Sequence, residues 1–254
     1  MQKHALAMAL LAMTCFSASA EEQELQDMSD PLAVYTQAGV GLTDKGINLK
    51  VGQTYDTGSD ITMGMNIIEL KGIAGELLGI RDNEKPLFNS VDNSIDGFRF
   101  RNFGVNTENG RGTQIDVNAN IDKETLDASY SFIQALPKFS VFQLYPLAGV
   151  GLTVENDKDD GYQVPGTFAA VGFYGKITVT DKIWLNYNPL WLTTVSGSDS
   201  YKDNYYAGDS LILTHEFVAS YQLSPRANIR YFANWNKAVD FADGDHRIEF
   251  NYQL

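Results

Sequence analysis

The sequence is poor in cysteine, in long apolar runs and in basic residues. Cys15 is the only cysteine among 254 residues, so the chain cannot close an internal disulfide or supply a multi-cysteine zinc site. No run after the N-terminus approaches the about 18 apolar residues of a transmembrane helix. Lys and Arg number 19 against 32 Asp and Glu, a net charge of −13. This excess of acid argues against nucleic acid as a partner, because phosphate binding requires an excess of Lys and Arg.

The N-terminus indicates export from the cytoplasm. Lys3 supplies a positive charge, residues 5–13 form a short apolar stretch, and Ala18-Ser19-Ala20 fits the small residues that precede a cleavage site. Together these features are typical of a secretory signal peptide. We therefore predict that residues 1–20 are removed, and Cys15 with them, so that the mature chain has no thiol.

The remainder alternates apolar and polar residues in short segments. Residues 115–121 alternate strictly, and so do residues 248–254 at the C-terminus. Because successive strand side chains point to opposite faces, each segment has one apolar and one polar face. The alternation and the intervening turn residues predict twelve strands, near 32–42, 46–56, 60–70, 96–106, 113–122, 125–136, 139–154, 166–180, 182–195, 209–223, 226–237 and 245–254.

The predicted connections alternate between tight turns and longer loops at 71–95, 155–165, 196–208 and 238–244. This pattern is typical of an antiparallel up-and-down transmembrane β-barrel with short periplasmic turns and longer outer loops. We predict an all-β chain in which residues 21–31 form a short periplasmic segment and residues 32–254 form one barrel. Aromatic residues near strand ends are expected to form interfacial girdles: Tyr35, Tyr55, Trp184, Tyr187, Trp191, Tyr221, Trp235 and Tyr252.

Two features carry a resemblance to a known class. The C-terminal strand resembles the assembly signal of Gram-negative outer-membrane β-barrels, with Ile248, Phe250, Tyr252 and Leu254 at alternate positions, although the last residue is Leu where Phe is usual. Residues 38–43 (AGVGLT) recur at 148–153, and such Gly-rich strands resemble small barrels of the OmpA/OmpW-like group. The repeat reflects either relief of crowding by glycine or internal duplication. The resemblance implies an outer-membrane location.

The class also implies partners. We expect contacts with outer-membrane lipids and lipopolysaccharide, and with the barrel-assembly machinery and periplasmic chaperones. A soluble all-β barrel or sandwich is the alternative, because alternation alone does not say which face points inward. The membrane interpretation turns Val117 and Ile229 towards lipid and Asn118 and Asn228 towards the interior.

The sequence predicts neither an enzyme nor a metal or cofactor site. After removal of the signal peptide only His215 and His246 remain, and no motif places a serine with either as a hydrolase would require. Residues 155–161 form the densest acidic cluster, but Asp160 occupies the position where a calcium loop needs glycine. We interpret the cluster as a solvated outer loop.

The polar faces of the strands indicate where function lies. If apolar faces meet lipid, the interior holds charges of both signs, which either pair across a filled core or line an aqueous pore. We predict a small passive channel for polar solutes. A non-conducting surface-binding barrel and an outer-membrane lipid hydrolase are the alternatives. The apolar residues 73–80 could cap the mouth as a helix, fold inward, or hold an extra strand with Leu87-Phe88. The pore-lining candidates are Lys50, Arg99, Arg101, Asp116, Asp127, Glu216, Arg230, Arg247 and Glu249.

Overall fold

The structure, a computed structural model, describes residues 25–79 and 93–254. The predicted signal peptide and the Leu87-Phe88 pair lie outside these residues. Within them no helix is long and apolar enough to cross a membrane. The only helix in this part of the chain is α1 (Asp199–Asn204). The strands are β1 (Gln37–Thr43), β2 (Gly46–Asp56), β3 (Thr62–Ile73), β4 (Gly97–Asn106), β5 (Arg111–Asn120), β6 (Thr125–Gln134), β7 (Phe142–Asp157), β8 (Gly161–Thr178), β9 (Ile183–Tyr187), β10 (Leu190–Gly197), β11 (Leu211–Ser224), β12 (Ala227–Asn236) and β13 (Asp245–Gln253).

The strands form one closed antiparallel sheet. Apart from β9 and β10, each strand pairs with its sequence neighbours, and β13 pairs with β1, which closes the ring. Strands β9 and β10 both pair with β8 and β11, so they are two halves of one barrel strand. The interruption falls at Asn188-Pro189, where proline has no N–H to donate to the ladder. The predicted twelve-stranded barrel is therefore confirmed.

Some predicted boundaries were wrong. Strand β1 begins at Gln37 and not near residue 32, because residues 32–36 run along the interior before the sheet begins. The loop predicted at 155–165 shrinks to residues 158–160, because β7 and β8 continue pairing as far as Asp157 and Gly161. Gly161 has a φ of +76°, which suits a residue that closes such a turn. Residues 74–79 form turns and not the helix considered for 73–80.

The outer face of the barrel is apolar. Large apolar side chains on every side of it are exposed, among them Val40, Ile68, Ile115, Val150, Val171 and Ile248. In hydrocarbon every backbone N–H and C=O must be paired, which only a helix or a closed barrel achieves. The closed sheet and this apolar surface define a transmembrane β-barrel of the kind found in the bacterial outer membrane. The soluble alternative is thereby set aside.

Most of the predicted girdle residues lie on this outer surface. Tyr55, Tyr187, Trp191, Tyr221 and Tyr252 are exposed, and Trp235 is half-buried there. For the other two the prediction was wrong. Tyr35 and Trp184 are 9% and 4% exposed, because Tyr35 belongs to the inward-running N-terminal residues and Trp184 shares the inward face of β9 with Asn186.

Residues 25–36, here called the luminal segment, lie inside the barrel. Leu32 and Val34 are buried in one apolar cluster with inward-facing side chains of β3, β4, β6 and β7. Apolar side chains facing a water-filled lumen would be unfavourable, so the segment and these strands bury each other's apolar surface. The strand residues of this cluster are Met65, Ile67, Val105, Ile133 and Tyr145.

The two faces of β5 provide a direct test of the membrane orientation. Ile115 lies mid-strand on the outer face and is 43% exposed, whereas Asn118 points inward and is exposed to the lumen. We expect Ile115→Arg to lower the free energy of unfolding by about 2–4 kcal/mol in lipid vesicles, because the guanidinium would face hydrocarbon. The matched control Asn118→Arg should cost far less. Equal costs, measured by urea unfolding, would contradict the assignment of faces.

Candidate functional site

A row of alternating charges crosses the inner face from β13 to β5. Lys50 Nζ lies 2.6 Å from Glu249 Oε1, and Arg101 forms an ion pair with Glu69. Arg99 binds Asp116 with two donors, Nε at 2.9 Å and Nη2 at 2.5 Å. Charges removed from bulk water require such partners. Pairing within the row therefore moderates the desolvation cost of holding many charges inside the barrel.

Glycines of the AGVGLT segment make the first of these pairs possible. Lys50 is on β2 and Glu249 on β13, with β1 between them. Gly39 and Gly41 present no side chain to the lumen there, and a Cβ on Gly39 would stand 2.8 Å from Asn251 Oδ1 and 3.0 Å from Lys50 Cε. The Lys50 and Glu249 side chains thus meet over β1.

The second copy of the segment follows the same rule. Gly149 and Gly151 of β7 also face inward, and a Cβ on Gly149 would stand 2.6 Å from Ser131 Cβ. Both copies turn valine towards lipid, Val40 and Val150 being exposed. Crowding on the inner face accounts for the glycines in each copy.

Two further cations share one aromatic ring. The Cζ atoms of Arg230 and Arg247 lie 5.0 and 4.1 Å from the centre of the Phe232 ring, a distance at which a cation is attracted to the π face. Arg247 Nε is 3.5 Å from Glu249 Oε2. Arg230 donates to Ser220 Oγ at 3.2 Å and to Asn186 Oδ1 at 3.5 Å. Among the described residues no carboxylate oxygen lies within 4.0 Å of its guanidinium.

These charges line a cavity of about 330 Å³, here called the central cavity. Most of its charges are on β12, β13 and β2 to β4, with Phe103 and Phe232 among them, and Glu216 is on β11. The other side of the barrel contributes the aliphatic residues Ile133, Leu147 and Leu190, on β6, β7 and β10, together with the polar residues Asn186, Asn188 and Thr214. Leu32 of the luminal segment completes this wall. A smaller cavity of about 130 Å³ continues beside the segment.

The luminal segment separates the central cavity from a third one at the end of the barrel with the short turns. That cavity, about 330 Å³, shares Met28 and Ser29 with the central cavity. Asp27 Oδ2 lies 3.3 Å from Lys176 Nζ, and Lys176 also donates to Ser29 Oγ. Burial raises the pKa of Asp27, but the Ser29 hydrogen bonds and the Lys176 charge outweigh it and hold that pKa below its usual value. The segment is thus fixed by charge as well as by apolar contact.

The opposite end is narrowed by the loop that carries α1. Tyr201 is 2% exposed, and its hydroxyl lies 3.0 Å from Thr153 Oγ1. Thr153 in turn donates to Asp127 Oδ1 at 2.7 Å. The Tyr201 and Tyr205 rings pack at 4.5 Å between centres. Since Thr153 and Asp127 face inward, this outer loop folds into the mouth of the barrel.

The structure brings most of the predicted pore-lining residues together. All nine lie on inward-facing strand positions. Asp116 accepts a hydrogen bond from Arg99 next to the cavity wall. Asp127 accepts one from Thr153 at the outer end. Whether they line a conducting pore stays a prediction. The remaining seven line the central cavity: Lys50, Arg99, Arg101, Glu216, Arg230, Arg247 and Glu249.

Sequence reasoning missed Glu69, Lys176 and the luminal segment. The run Ile67-Ile68-Glu69-Leu70 does not alternate, because Ile67 on the inner face packs against the segment. Within the predicted strand 60–70 the inner-face residue before Glu69 is therefore apolar, and Lys71, the polar residue that follows on the same face, fell in the predicted loop. Inner-face apolar residues at 65, 67, 105 and 133 were the available signal that something fills that part of the lumen.

The histidines and the acidic loop form no catalytic or metal arrangement. His215 and His246 lie on the outer face, each with Nδ1 2.7 Å from a tyrosine hydroxyl, of Tyr187 and Tyr231. Asp157 accepts hydrogen bonds from the backbone N–H of residues 159 and 160 and so closes a turn. Within residues 25–79 and 93–254, no group of three or more His, Cys, Asp or Glu is placed to hold a metal ion.

Comparison with solved structures gives outer-membrane barrels. The chain is similar to the NanC porin, with a TM-score of 0.50 and 5% identity over 87% of this chain and 100% of the other. A KdgM porin in complex with disordered oligogalacturonate matches at 0.49 and 7%, over 87% and 99%. Omp33 of Acinetobacter baumannii matches at 0.39 and 11%, over 89% and 100%. At such identities the likeness to NanC shows the fold alone.

Sequence comparisons add no closer relationship. No protein-family profile matches the chain, and no curated protein matches it.

The Lys50–Glu249 pair is a test of how the charged row is stabilised. We expect Glu249→Gln to lower the free energy of unfolding by about 3 kcal/mol, because it leaves a buried ammonium without its carboxylate. Lys50→Met combined with Glu249→Gln should cost less than the single change. The control is Asp209→Asn, which breaks the exposed pair with Lys237 and should cost under about 1 kcal/mol. A double variant less stable than Glu249→Gln in urea unfolding would contradict this view.

Proposed function

We propose that this porin-like barrel is a narrow passive channel for small polar solutes, as the polar strand faces predict. The observation that carries the proposal is the succession of cavities inside the barrel. The central cavity and the third cavity both border the luminal segment, at Met28 and Ser29. A path with charged walls that is narrowed by the luminal segment and, at the opposite end, by the loop that carries α1 suits slow, selective passage.

The luminal segment also supports the second candidate, a non-conducting barrel. Met28 is 5% exposed, with Gln222 Nε2 3.4 Å and Asn228 Nδ2 3.6 Å from its Sδ. A segment held this closely could close the barrel permanently, leaving the outer loops as its working surface. The third candidate, a lipid hydrolase, has less support. As described above, Nδ1 of each histidine is hydrogen-bonded to a tyrosine hydroxyl.

The partners expected from the sequence remain part of the proposal. Ile248, Phe250 and Tyr252 all face outward on the closing strand β13, which suits recognition by the barrel-assembly machinery and later contact with outer-membrane lipid and lipopolysaccharide. The narrower resemblance to the OmpA/OmpW-like group rests on the Gly-rich repeat alone. A truncation lacking residues 252–254 tests the assembly role through its level in the outer membrane.

Conductance in planar bilayers separates the channel from the closed barrel. We expect the full barrel to pass a small current, and a variant lacking residues 25–34 to conduct at least about twofold more, because the barrier at Met28 is gone. Leu25→Ser is the matched control, since Leu25 is 46% exposed in the same segment and should leave the current unchanged. Absence of current in both the full and the shortened chain would refute the channel.

A further inference from the structure

We propose that the central cavity binds a small organic carboxylate with an apolar body, and that Arg230 and Arg247 hold the carboxylate group. The inference deepens the proposed function, because it names the class of solute for the same cavity. It rests on the unequal charge pairing of the cavity wall and on the division of that wall into a charged and an apolar side.

The cations of the wall are unequally paired. Lys50, Arg99 and Arg101 each have a carboxylate of their own, namely Glu249, Asp116 and Glu69. Arg247 shares Glu249 with Lys50 at the longer distance of 3.5 Å. Arg230 has only neutral acceptors, a hydroxyl and an amide. A half-buried guanidinium in this state gains most from an incoming anion, since charge-assisted hydrogen bonds are about twice as strong as neutral ones.

Phe232 contacts both guanidinium groups. Each stands over the ring, and both residues line the central cavity. Arg230 donates only to neutral acceptors and Arg247 shares Glu249 with Lys50, so positive charge exceeds negative charge at this part of the wall. A carboxylate that enters the cavity here would be attracted by both cations and would accept hydrogen bonds from the donors that it reaches.

The opposite side of the cavity is suited to an apolar group. In the ring of twelve strands, the charged wall is centred on β1 and β2, and β7 and β8 face it across the barrel. The apolar lining, Leu147 and Leu190 with Ile133 beside them, comes from that facing side. A solute with a carboxylate at one end and an apolar body at the other would contact both walls. The cavity of about 330 Å³ is at the lower end of the range for ligand sites, which limits the solute to a small molecule.

The acids of the cavity leave this site open to an anion. Glu216 accepts a hydrogen bond from Asn188 Nδ2 at 2.7 Å, and it lies beside Asn234 on the neighbouring strand. Arg230 is next to Ser220 instead, four residues along β11. Asp30 of the luminal segment also lines the cavity. Glu249 lies opposite Arg230 in the β12–β13 register, but it is bound to Lys50 at 2.6 Å and does not take up the donors of Arg230. Glu216 and Asp30 repel an anion from their own part of the cavity and so favour one orientation, with the carboxylate towards Arg230.

Binding to the folded barrel in detergent tests the proposal without any need for conductance. The probes are benzoate, its neutral isostere benzamide, and inorganic phosphate, each titrated by calorimetry. We expect benzoate to bind, and benzamide and phosphate to bind at least about tenfold more weakly, because one lacks the charge and the other the apolar body. Equal affinity for benzoate and benzamide, or for benzoate and phosphate, would overturn the assignment.

Variants locate the site. Arg230→Gln should weaken benzoate at least about tenfold, and Leu190→Asn should weaken benzoate while leaving phosphate unchanged. Lys138→Gln is the control, since Lys138 lines the third cavity only. Each variant is first checked for folding by gel electrophoresis, in which a closed barrel migrates faster when unheated than after heating. Unchanged benzoate binding in folded Arg230→Gln would refute the role of this residue, even if the barrel conducts, whereas binding by a barrel that never conducts would refute only the channel.

Discussion

Backbone pairing in a medium without water is the constraint on which the rest of this structure depends. Because hydrocarbon offers no hydrogen-bond partner, the sheet must close on itself, as it does through β13 and β1. Closure gives every strand one face to lipid and one to the lumen. Every polar side chain that the strands turn inward must then find a partner in a confined space, and the alternating charges from β13 to β5 are the result.

Closure also explains the features that interrupt the regular pattern. Glycines in β1 and β7 remove side chains where the inner face is crowded. The luminal segment covers the apolar patch that β3, β4, β6 and β7 leave on that face. With the segment in place, the central cavity has most of its charges on one side and its aliphatic residues, with polar ones beside them, on the other. The proposed solute follows from this division and not from the fold, which many unrelated functions share.

The sequence predicts the barrel well because its governing signal is local. Strict alternation in β5 and β13 fixes the face of residues such as Asp116 and Glu249, and turn residues fix the strand number. Prediction from the sequence fails where a contact joins residues that are distant in the chain. Tyr35 resembled a girdle residue, and Glu69 followed the apolar Ile67 on its face, because only the folded chain brings residues 25–36 against β3. The cavity and the unequal pairing of Arg230 likewise depend on five or more strands at once, which no local pattern encodes.

The position of the luminal segment is therefore the central claim, and a cross-link tests it most directly. Cys15 is the only cysteine of the chain, so a barrel refolded without residues 1–20 carries no competing thiol. With Met28→Cys and Asn228→Cys together, whose native side chains approach to 3.6 Å, a short bifunctional thiol reagent should join the two residues within one folded barrel. Mass spectrometry would then find the linked peptides. No linkage, together with rapid labelling of position 28 by a bulky water-soluble maleimide, would show that the segment lies outside the barrel.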